Sequence, residues 1–164
     1  MLVYDSSLLR DLTAQSLTKM CERDTFSVSV GLLNPSPATG KVRNFINGRR
    51  DEPVPDDSVF QSVNARYSFR GWCGMGDVVI IQVAPAFVAA EVFLHLCADR
   101  ENLSIVSVWG EPDSIDEDRF SGIWKKRRCV EVIPLHEILG VCMAKWADAD
   151  DAVRLVLPFH LRRR

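Results

Sequence analysis

His95 and Cys97 stand two residues apart, and Cys73 and Cys129 are the nearest further thiols on either side. In an extended segment His95 and Cys97 project on one face. Together the four carry the donor types of a Cys3His zinc site. Structural zinc sites usually bring their ligands in close pairs, and only one such pair exists here. The residues read instead as a histidine packed beside a buried thiol. The other histidines are His136 and His160. None of the three has a nearby serine or aspartate in the arrangement of a nucleophile with its base. Gly71, Gly74 and Gly76 come before an apolar run, whereas a phosphate-cradling loop follows a strand and opens a helix. They read as a turn into a strand. No catalytic residue, metal site or cofactor is expected, which leaves a hidden active site as the enzymatic alternative.

Charge and aromatic residues suggest recognition. Glu111 to Asp118 is acidic, and Trp109 and Trp124 flank it. An indole face beside a carboxylate attracts a cation, through the ring quadrupole and the charge together. The bland reading is that tryptophans at strand ends fill the interior. The spacing predicts that Trp109, Glu111, Asp113 and Trp124 lie together at one end of the fold, open to a basic peptide. The densest basic run is Lys125, Lys126, Arg127 and Arg128. It offers phosphate contacts as an alternative function, nucleic-acid binding. It also lies close enough to the acidic stretch to pair with it across a loop.

Composition narrows the class. The chain has 164 residues, with 20 Lys plus Arg against 22 Asp plus Glu and 47% hydrophobic residues. That is the balance of an ordinary globular domain, neither a polybasic binder nor a disordered polyelectrolyte. The five cysteines are odd in number and contain no C-x-x-C pair, which points to free thiols in a reducing, intracellular compartment. The longest apolar stretch, 78–96, is interrupted by Gln82, Pro85, Glu91 and His95, so no membrane span is expected. The first residues lack the basic flank and apolar core of a secretory signal.

The elements that would hold these residues follow from periodicity. Leu8, Leu9, Leu12, Leu17 and Met20 recur near helical spacing after the capping candidates Asp5, Ser6 and Ser7. Thr25 to Leu33 alternates and favours strand. Asn34 to Asp57, with Pro35, Pro37, Pro53 and Pro55, reads as a long loop, regular only near Val42 to Ile46. Any domain boundary falls there, dividing 1–58 from 59–164. Beyond it, Val63 to Phe69, Val78 to Val83, Phe87 to Leu96, Leu103 to Trp109, Cys129 to Ile133, Ile138 to Trp146 and Val153 to Leu157 read as strands. Asp99 to Asn102 reads as a tight turn. The fold class is mainly β, a small antiparallel barrel or sandwich with an N-terminal helix and a long loop.

The order of features over residues 76–146 resembles a bromo-adjacent homology domain. The blocks that carry the resemblance are Gly76-Asp77-Val78-Val79-Ile80, then Val88-Ala89-Ala90-Glu91-Val92, then Val106 to Trp109 with Pro112-Asp113. The last and most specific is Ile133-Pro134-Leu135-His136-Glu137-Ile138-Leu139-Gly140-Val141-Cys142. The resemblance implies a β-rich barrel that binds proteins without catalysis, in a nuclear, chromatin setting or in the nucleoprotein of a mobile element. In that family methyl-lysine readers carry a cage tryptophan where this chain has Val108, while Asp113 matches the cage carboxylate. The resemblance therefore implies a protein or basic-peptide partner with little discrimination by methylation.

Overall fold

The computed structural model describes residues 30–68, 71–83, 86–146, 152–158 and 161. Among them the order is β1 (Gly31–Leu33), β2 (Ser36–Pro37), helix α1 (Gly40–Asn47), β3 (Val59–Ser62), β4 (Asn64–Ser68) and β5 (Gly71–Gly74). It continues with β6 (Val78–Val83), β7 (Ala86–Ala98), β8 (Glu101–Gly110), β9 (Ser114–Asp116) and β10 (Ser121–Lys125). The last strands are β11 (Val130–Pro134), β12 (Ile138–Val141), β13 (Met143–Trp146) and β14 (Ala152–Val156). The pairings are antiparallel. They form a sheet β1-β4-β5, a sheet β13-β14-β10-β9, and a large sheet β11-β8-β7-β3-β2 to which β6 joins through β7 and β12 through β6. The sheets do not close into a barrel among the described residues, so the mainly β fold is layered and sandwich-like.

The apolar run of β6 explains the layering. Val79 and Ile81 enter one core with Ala65, Tyr67, Cys73, Val92, Val106, Leu135 and Ile138. Val78 and Ile80 enter a second core with Ala89, Trp109, Trp124, Cys142, Val153 and Leu155. Successive side chains of a strand point to opposite faces, so a strand covered on both faces cannot alternate with polar residues. β7 and β8 are shared in the same way, and Leu96, Ala98, Leu103 and Ile105 add a third core under α1. The two-residue turn between β7 and β8 places Asp99 and Arg100 at φ 51° and 64°, the left-handed region that lets a hairpin twist correctly.

The segment 34–57 is regular where expected, in α1 around Val42 to Ile46, and elsewhere is more ordered than its prolines suggest. Thr39 Oγ1 accepts from Val42 N at 3.5 Å and caps α1, and Gly48 N donates to Asn44 O at 3.0 Å at its other end. Ala38, Ile46 and Val54 are buried in the third core. Asn47 Oδ1 holds Val54 N at 3.0 Å. Prolines remove backbone donors and blur periodicity, but three well-spaced apolar side chains suffice to anchor the segment. The pairings β1 with β4 and β2 with β3 also cross residue 58, so the expected boundary between 58 and 59 does not separate two packed bodies. The helix expected over the first 24 residues and the turn at 147–151 lie outside the described residues.

Pro134 ends β11, a single helical turn Leu135–Glu137 follows, and β12 starts at Ile138. Of the four residues expected to be buried in this closing segment, Ile133, Leu135 and Ile138 are enclosed, whereas Val141 is only partly buried against the first core. Ile138→Ala should lower stability by roughly 2–5 kcal/mol, as large-to-small core changes do. Denaturant unfolding measures it, and a loss under about 1 kcal/mol would contradict the enclosed position of this side chain.

Candidate functional site

Trp109 closes β8, the acidic stretch follows, and β9 and β10 form a hairpin that returns the chain to Trp124. The structure does bring the two tryptophans together, but inside the fold. Trp109 is 3% exposed and Trp124 4%, both in the second core. Trp124 Nε1 donates to Gly110 O at 3.1 Å, whereas Trp109 Nε1 has no partner among the described residues. The expected pair of open indole faces is thus corrected. Both rings are needed to fill the space between the large sheet and the sheet of β10 and β14. Glu111 and Asp113 are exposed beside them, without an aromatic face to share. Val108 is half-buried and packs against the first core.

The basic run is tied to its surroundings. Lys125 Nζ lies 3.9 Å from Asp113 Oδ2, and Lys126 Nζ lies 3.2 Å from Glu91 Oε2. Ser107 Oγ donates to the Arg127 carbonyl at 2.6 Å, and Val108 N donates to the Cys129 carbonyl at 2.8 Å, so the run lies along β8. Arg127 and Arg128 are exposed. The acidic and basic stretches do meet across the loop, and at exposed positions such pairs contribute little to stability.

His95 occupies a fully buried place in β7. Its Nδ1 is 2.7 Å from Ser104 Oγ across the hairpin, and its Nε2 is 3.6 Å from Cys73 Sγ on β5. A neutral imidazole has one donor and one acceptor nitrogen, and the thiol and hydroxyl can each give or accept, so either tautomer is satisfied. Burial pulls the imidazole down to about 4, against the opposing effects of a backbone hydrogen bond at Cys73 and the charge of Asp77. Burial first, then Asp77, pushes the Cys73 thiol up to about 12. The two groups stay uncharged, so this is not a thiolate–imidazolium nucleophile. Cys97 is only partly buried, and Cys129 is exposed beside Glu131. Among the described residues no cluster of three or more His, Cys, Asp or Glu side chains could hold a metal ion.

Sequence reasoning missed Ser104 and the choice of Cys73 as the thiol. The signal for Ser104 was present in the turn. With Asp99 and Arg100 as the loop, Ala98 faces Glu101, and counting back along both strands puts His95 opposite Ser104. Cys73 arrives from another sheet, and nothing local announces it.

The edge at β9 was not anticipated either. Among the described residues β9 ends its sheet, with β10 as its only neighbour in the strand order. Ile115 on β9 is 67% exposed and sits directly opposite Gly122. The Trp124 ring covers Gly122: a Cβ there would come within 2.7 Å of it. Glu111, Asp113, Asp116, Glu117 and Asp118 lie in or beside β9 along the chain; Asp116 is 3.7 Å from Arg119 and Asp113 is 3.9 Å from Lys125.

Compared with known proteins, the chain matches no family model, no curated protein and no solved structure.

Proposed function

We propose that this chain is a non-enzymatic protein-interaction module of a nuclear or nucleoprotein assembly, and that its acidic edge around β9 takes a basic peptide. The observation that carries the reading is the exposed group of carboxylates on a strand edge beside the Trp109 and Trp124 core. Loops and edges carry recognition while the packed strands fix their position. The nuclear or chromatin setting rests on the sequence resemblance alone. Nucleic-acid contact through Lys125 to Arg128 is the weaker alternative, because Lys125 and Lys126 already face carboxylates.

The test is binding of a twelve-residue peptide rich in lysine and arginine, unmethylated and trimethylated. Glu111→Lys combined with Asp118→Lys should weaken binding about tenfold through lost and reversed charge attraction. Methylation should change it by less than about twofold, since Val108 offers no ring and both nearby indoles are interior. Unchanged binding in the double variant would overturn the reading. A short DNA duplex bound more tightly than the peptide, with affinity falling steeply as salt rises, would favour the alternative.

A further inference from the structure

Among the described residues the outer edge of β9 carries no partner strand, and it has more than charge. Asp116 pairs with Ser121, Ile115 with Gly122 and Ser114 with Ile123, so Ile115 projects on the same face as Gly122. That face is the one on which Trp124 meets Val153 and Gly122 meets Leu155, the apolar side of the sheet. Ile115 is therefore the next step of a core-facing row, left uncovered where the row runs out of strands. An isolated exposed isoleucine needs no explanation, but one that extends an interior face past an unpaired strand edge leaves room for another strand. The edge is also unsuited to a second copy of itself, because the carboxylates around β9 would be brought against their own kind.

We infer that the peptide of the proposed function binds as an added β-strand on the open edge of β9, with an apolar side chain set against Ile115 and flanking Lys or Arg side chains facing Glu111, Glu117 and Asp118. This rests on the basic-peptide reading and specifies how it is achieved. Backbone hydrogen bonds to the edge supply affinity, and the alternation of side chains sets which residues meet the protein. An extended peptide with one β-branched residue between basic ones fits both the row and the charge.

The experiment uses the whole chain and three versions of one such peptide. One is unmodified, one carries N-methyl groups on alternate amides, and the third carries them on the other set. N-methylation deletes a donor and leaves every side chain and charge in place. An added strand turns alternate amides toward its neighbour, so one pattern should weaken binding at least tenfold and the other should leave it within about twofold. Equal effects of the two patterns would overturn strand addition while leaving charge recognition standing. Failure of the unmodified peptide to bind would instead remove the underlying reading.

Discussion

Trp124→Ala should lower stability by roughly 3–5 kcal/mol, the range for removing a large buried aromatic side chain. The ring is enclosed among Val78, Ile80, Trp109, Val153 and Leu155, and it shields Gly122. Its N–H also satisfies the Gly110 carbonyl at the exit of β8. Trp124→Phe keeps much of the apolar volume and loses that hydrogen bond. Trp109→Phe removes an N–H that is buried without a partner among the described residues, so the desolvation penalty of that group is relieved. The Phe variant at 109 should therefore be less damaging than the one at 124. Urea midpoints at constant slope give all three values. A loss below about 1 kcal/mol for Trp124→Ala would contradict the enclosed ring.

Acid should destabilise the fold through His95. Its folded-state pKa is lowered to about 4, while an unfolded histidine takes up its proton near pH 6.5. Between those values the unfolded chain binds a proton that the folded chain refuses, so stability falls as pH falls. The contribution is fully present above pH 6.5 and is lost by about pH 4, an effect of ~3 kcal/mol by linkage. Carboxylates add their own dependence in the same range, so the measurement is a difference. Unfolding free energies of wild type and His95→Gln are compared at pH 7, 5 and 4, because glutamine cannot take up the proton in either state. The variant should be the less stable of the two at pH 7 and should lose less on acidification. Parallel curves would show that His95 is protonated as easily inside the fold as outside it.

Much of the strand arrangement was legible because it is written in local patterns. The run Val78 to Val83 announced a strand buried on both faces. The turn expected over Asp99 to Asn102 is present but tighter: Asp99 and Arg100 alone form it, and Glu101 and Asn102 already pair with β7. Phe87 to Leu96 read as a strand, and it lies within β7. The segment 34–57 was less legible because its anchors, Ala38, Ile46 and Val54, lie eight residues apart with prolines and charged residues between them, so they form neither a helical stripe nor a strand alternation. The site was least legible of all. Trp109 and Trp124 attracted attention by type, yet burial decides what an indole can do, and burial depends on which sheets meet. Ile115 looked ordinary until the strand order left it at an edge. Glu111 and Asp113 stayed on the surface for the simple reason that lone carboxylates are too costly to bury.

The central strands have one further consequence. β7 and β8 supply side chains to all three cores and β6 to two of them, so no core can be dismantled without exposing the wall of the next. Heat should therefore melt the described body in one step, with calorimetric and van't Hoff enthalpies in agreement. Local opening should begin where a strand belongs to one layer only, as at β9, whose outer side has no partner among the described residues. The edge suited to receive another strand is thereby also the one that can adjust to it without loosening the rest.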